Sequence, residues 1–147
     1  MLCSILLSFC MIIVGTSSLA IDNPDMPDYV AEFRARSQVH ESAINQEAQT
    51  TQDYVNAYAA YERFLDEELN SAYRSLIDRL DEKALQRLIR SQGSWLKYRD
   101  IEFEFIETNW RIENFGSSSV ISRGAYRTTL VKDRVILLLH YLKNYAW

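Results

Sequence analysis

Residues 54–80 read YVNAYAAYERFLDEELNSAYRSLIDRL, and the reading of this run decides the fold. Tyr54, Tyr58, Tyr61, Leu65, Leu69, Ala72 or Tyr73, Leu76 and Leu80 recur every three or four residues. Side chains at that spacing share one face of an α-helix, so the run predicts about seven helical turns with a continuous apolar stripe. Glu62, Asp66, Glu67, Arg74 and Asp78 cover the opposite side. The polar stretch at 49–53 (QTTQD) supplies a break and a possible N-cap before the run, and Asp81 is a candidate N-cap after it.

Downstream, a second long helix is expected from about Glu82 to Ile112. Its stripe runs Leu85, Leu88, Gln92, Trp95 or Leu96, Arg99, Phe103, Ile106 and Trp110. Gln92 and Arg99 interrupt an otherwise apolar line, and buried polar groups need partners; Asn70, Asp66 and Asp100 are the candidates. The run 114–119 (NFGSSS) is the clearest loop. Beyond it, 120–145 reads as a third strong helix with Leu130, Arg134, Leu138, Tyr141 and Tyr145 on its face. Upstream, 21–28 (IDNPDMPD) holds both prolines and reads as a lead into a modest helix from Tyr29 to about Glu47, with Tyr29, Phe33 and Ile44 on its apolar side. No repeat and no sustained strand alternation occurs. The expected fold is all-α: an antiparallel bundle of three to four helices, two of them long, with 21–50 as lead and short helix and 51–147 as the main domain.

The totals agree with this. Apolar residues make up 48% and charged residues 24%, a globular balance. Only 4 Gly and 2 Pro occur, too few for the turns of an all-β fold. A net charge of −4 argues against nucleic-acid binding, which needs a basic stripe, and is compatible with a basic protein partner.

Residues 2–14 (LCSILLSFCMIIV) form an apolar core of signal-peptide length, followed by small residues with Ser18 and Ala20 at the −3 and −1 places of a cleavage site. A signal peptide of residues 1–20 and a periplasmic or secreted product are expected. No Lys or Arg follows Met1, so an uncleaved N-terminal anchor is the alternative. Cys3 and Cys10 both lie in this segment, which leaves the remainder without a thiol and without a disulfide.

Catalytic chemistry has little support. His40 and His140 are a hundred residues apart, and residues 21–147 hold no cysteine, so neither metal nor cofactor is expected. No nucleophile motif or Gly-rich phosphate loop is present. The pairs Glu102/Glu104 and Glu67/Glu68 are two apart or adjacent on a helix and point to different sides, unlike paired glycosidase carboxylates. Most of the tyrosines and tryptophans are assigned to core, with Tyr145, Trp147 and Phe115 as exceptions.

Four stretches carry a resemblance: 65–73 (LDEELNSAY), 91–100 (SQGSWLKYRD), Gly116-Ser117, and 130–134 (LVKDR). Together they resemble the LprI-type lysozyme-inhibitor domain of exported bacterial proteins, whose marks are LD-x-x-LN-x-x-Y, Q-x-x-W-x-x-(Y/F)-R-D, a GS loop and LT-x-x-R. The matched positions are Asp66, Asn70, Tyr73, Gln92, Trp95, Arg99, Asp100 and Arg134, with Val131 where the family has Thr. The resemblance also implies cysteines at three places held here by Tyr58, Phe103 and Gly124. Their absence suggests that Phe103 packs over Gly124 and fills the space of a lost disulfide. The matched residues have a structural reading as well, in which Asn70, Gln92, Arg99 and Asp100 form one buried network around Trp95.

The resemblance implies an exported binding protein that inhibits a lysozyme or another peptidoglycan-cleaving enzyme, with no catalysis of its own. The partner-binding candidates are Phe115, Ser117, Ser118, Ser119 and Arg123: small hydroxyls, a cation and an aromatic anchor on one connector. The alternative is an envelope interaction or immunity protein with a different partner, sharing the fold only. An enzyme would need two carboxylates converging in a cleft.

Overall fold

The computed structural model describes residues 26–145; the expected signal peptide at 1–20 and Trp147 lie outside them. The elements are α1 (Tyr29–Ser42, extended by one wider turn at Ala43–Glu47), α2 (Thr51–Ile77), α3 (Glu82–Asn109), α4 (Ile112–Phe115) and α5 (Ser118–Asn144), with no strand among the described residues.

Local chemistry sets the boundaries. Asp28 caps α1 by accepting from the Ala31 amide. Thr50 and Asp53 bond reciprocally to each other's backbone N–H and open α2 with a capping box. Asp81 accepts from the Ala84 amide at 2.8 Å and starts α3. The expected loop at 114–119 is tighter than a loop: α4 makes one turn, Gly116 takes φ 56°, and α5 begins at once. A residue other than glycine is strained at that φ.

Successive long helices alternate in direction, but the closest packing joins α2 and α5, which run parallel. Tyr58 meets Gly124 and Glu62 meets Arg127. Nearer the other end, Leu76 and Tyr141 line one cavity. α1 lies against this pair, with its Arg36 held by Glu68 through two 2.8 Å bonds. α3 lies on its other side. The core is the α2 stripe of Tyr58, Tyr61, Leu65, Leu69, Ala72 and Leu76 closed by Val131, Val135, Leu138, Leu139 and Leu142 of α5 and Phe33 of α1. Of the face expected for α5, Arg134 and Leu138 are buried while Tyr141 and Tyr145 are exposed. Val131, Val135 and Leu142 are the inward residues, because packing along α2 rotates the stripe by one position.

Gly124 is closely packed, unlike Gly93 and Gly116. A Cβ there would lie 2.3 Å from Cγ of Tyr58. The ring that fills the space of the missing side chain is therefore that of Tyr58 and not of Phe103, as expected above. Phe103 instead lies under the Arg127 guanidinium, 4.4 Å from it. The principle of a large residue facing a glycine holds with a different partner.

One polar cluster ties three helices. Oε1 of Glu41 accepts from Lys132 Nζ at 2.6 Å, from the Tyr61 hydroxyl at 2.9 Å and from Ser37 Oγ at 2.8 Å. The Lys132 bond holds the Glu41 carboxyl below its ordinary value of 4.5. A depressed carboxylate adds stability above that value, and the contribution is lost as pH falls through the lowered one. Glu41→Gln is accordingly expected to flatten the decline of melting temperature on acidification below pH 4.5. Thermal melts of both chains across that range check it. Glu62, which burial pushes up, works in the opposite sense.

Candidate functional site

The expected connector site is only partly presented to solvent. Phe115, Ser117 and Ser118 are exposed. The Ser118 hydroxyl donates to the Phe115 carbonyl and the Ser119 hydroxyl to the Gly116 carbonyl, Ser119 being wholly buried. Both hydroxyl protons thus hold the corner in shape. Arg123 is held by Glu107 Oε2 at 2.8 Å, and Glu107 Oε1 also binds Arg127.

Beside this corner stands an aromatic face that the helical stripe of α3 does not account for. Phe105 is 55% and Tyr126 50% exposed. Trp110 joins them, its ring 6.0 Å from Phe105 edge-on and 4.5 Å from Tyr126. Leu130 and the carboxylates Glu102 and Asp133 line the same shallow depression. Neither carboxylate makes an ion pair or hydrogen bond among the described residues. Tyr98, Ile101 and Phe105, at i, i+3 and i+7, form a second, solvent-facing stripe on α3. That spacing was available in the sequence, but the core stripe of the same helix masked it.

The matched motif residues divide in a way the sequence did not foretell. Asn70, Arg99 and Asp100 do not join Gln92 in one buried network. Asn70 donates to the Asp66 carbonyl on its own helix, and Arg99 pairs with exposed Asp100 through Nε and Nη2. The buried pairing is between Gln92 and Arg134: Arg134 Nε donates to Gln92 Oε1 at 3.0 Å, and Nη2 reaches Ser91 Oγ at 3.3 Å. Trp95 presents its ring to Arg134 and Arg99, 5.6 and 5.8 Å away. Arg134, 8% exposed with no carboxylate bonded to it, has its pKa lowered by burial.

Because α3 leans on α5, an open groove remains between α2 and α3. Asp66, Asn70 and Tyr73 line one wall and Gln92 and Arg99 the other. Leu69, Ile89 and Leu96 complete it, and its volume is about 370 Å³. Motif positions read above as candidates for a buried network thus face a cavity.

Among the described residues no group of three or more His, Cys, Asp or Glu is placed to hold a metal, and no helix is long and apolar enough to cross a membrane. The fold is that of a small all-helical domain. Residues 42–138 match the family model described as lysozyme inhibitor LprI, and the chain belongs to that family. No curated protein and no solved structure matches the chain.

Proposed function

We propose that the chain is exported and inhibits a lysozyme-type peptidoglycan hydrolase, using the aromatic face and the neighbouring corner as its contact surface. The observation that carries the surface is the contact of exposed Phe105 and Tyr126 with the half-buried Trp110 between them, since aromatic rings held in place by one another lose little freedom on binding and dominate interface energies. Family membership supports the class of partner. The free carboxylates Glu102 and Asp133 and the net charge of −4 suit a basic enzyme. Phe115 and Ser117 extend the same end of the molecule, while Ser118, Ser119 and Arg123 hold its shape. Export rests on the reading of residues 1–20.

The test is clearing of bacterial cell-wall suspensions by a panel of lysozymes, with and without the protein. Near-stoichiometric inhibition is expected. Phe105→Ala with Tyr126→Ala should weaken it by about 2 kcal/mol or more, roughly thirtyfold, with little change in melting temperature because both rings are exposed. Inhibition that survives the double variant would move the contact surface elsewhere. No inhibition of any lysozyme would favour a second reading, an envelope protein with another partner. Exposed Tyr141 and Tyr145, which line an apolar depression with Leu80 and Leu88, offer that reading a surface.

A further inference from the structure

We infer that the groove between α2 and α3 binds an N-acetylated amino sugar, independently of the partner surface proposed above. The argument starts from Gln92, which is 6% exposed. Arg134 Nε is a donor only, so the Gln92 oxygen must face it, and the amide NH2 must point the other way. Among the described residues that NH2 has no acceptor, and yet it is not sealed from solvent. Gln92 lines the groove, and its two free donors ask for a carbonyl or hydroxyl oxygen there.

The facing wall asks for the reverse. Asn70 spends its NH2 on the Asp66 carbonyl, which leaves its amide oxygen as an acceptor. The Asp66 carboxylate has no hydrogen bond or ion pair among the described residues. The two stand one helical turn apart on the same face. Arg99 is neutralised by Asp100, so Asp66 is the one groove charge without an opposite partner, and an anionic ligand is disfavoured. A cation would suit Asp66 but would meet the donors of Gln92.

A neutral ligand is required, with an acceptor on one edge, several donors on the other and an apolar face for Leu69, Leu96 and the flank of Tyr73. An N-acetylated hexosamine has these: its acetamido carbonyl for Gln92, its ring hydroxyls for Asp66 and Asn70, and its C–H face for the apolar residues. A volume of about 370 Å³ is at the small end for ligand sites and matches such a ligand. A Cβ on Gly93 would meet nothing within 4 Å, so the glycine opens this wall.

The experiment is an NMR titration of the purified, isotopically labelled protein with N-acetylglucosamine and its short β-linked oligomers, glucose, and N-acetyl-dialanine amide. The expected result is saturable shifts of groove residues with the acetylated sugars and none with glucose. Two variants separate binding from folding. Gln92→Glu keeps an acceptor for Arg134 and removes the donors; Gly93→Leu fills the groove from a position with open space. Each should fold and bind the sugar at least about tenfold more weakly. Absence of saturable shifts, equal response to glucose, binding that Gly93→Leu leaves intact, or binding of the acetylated peptide in place of the sugar would each overturn the assignment.

Discussion

Gly124→Ala should lower the melting temperature by roughly 10 °C or more, although alanine is the better helix former by about 1 kcal/mol. The reason is local. The added methyl would sit 2.3 Å from Tyr58 Cγ and 2.5 and 2.6 Å from its Cδ atoms, which are the rigid root of the ring and not a flexible tip. α2 and α5 must part, or the buried Tyr58 must leave its place. Overpacking of this kind costs about 1–3 kcal/mol and sometimes more, and we place this case at the upper end.

The same geometry gives a second arm. Tyr58 Cγ is one bond from its Cβ, so the two Cβ positions are within about 3.8 Å of each other, the spacing that a disulfide needs. Tyr58→Cys with Gly124→Cys is expected to oxidise spontaneously, as a thiol assay would register. The oxidised form should exceed the reduced form in stability by about 4 kcal/mol, the chain-entropy value for a loop of about 65 residues. A double variant that keeps two free thiols under air would show that the two helices do not approach as described. The resemblance places cysteines at both positions, and here a ring over a glycine holds the same helix pair together.

Gln92→Leu is the second large effect, expected to cost about 2–3 kcal/mol. It leaves the Arg134 Nε–H buried without its acceptor, with the Ser91 hydroxyl at 3.3 Å and the Trp95 face as the remaining support. The comparison that identifies the cause is Gln92→Leu combined with Arg134→Met. Removing both polar partners leaves no buried charge to satisfy, and apolar replacement of such pairs is often neutral or stabilising. The double variant should therefore melt above Gln92→Leu alone by several degrees. If the two losses simply add in urea or thermal unfolding, the pairing contributes nothing and the cost of Gln92→Leu is steric.

The ends and stripes of the helices were legible because they depend on neighbours in sequence. Thr50 with Asp53, and Asp81 ahead of α3, are caps within a single turn. The α2 stripe from Tyr58 to Leu76 is buried where the three-and-four spacing placed it. The family was legible in the motif residues, and the match over residues 42–138 bears the family out. Their arrangement was not, since the sequence offered Asn70, Asp66 and Asp100 as partners for Gln92, and only the lean of α3 toward α5 brings Arg134 to it. The connector reading ran into the same limit: a serine hydroxyl reads as a free donor until the chain's turn at Gly116 brings a carbonyl within reach.

The sequence by itself determined the class of fold, the capped starts of α2 and α3 and the family, because hydrophobic period and capping act over three or four residues. Tertiary structure alone decided that α2 pairs in parallel with α5, that Tyr58 and not Phe103 covers Gly124, and that Asp66 and Asn70 face a groove. Those outcomes turn on side chains that meet across helices far apart in the chain, 42 residues for Gln92 with Arg134 and 65 for Glu62 with Arg127, where no local preference can choose between partners.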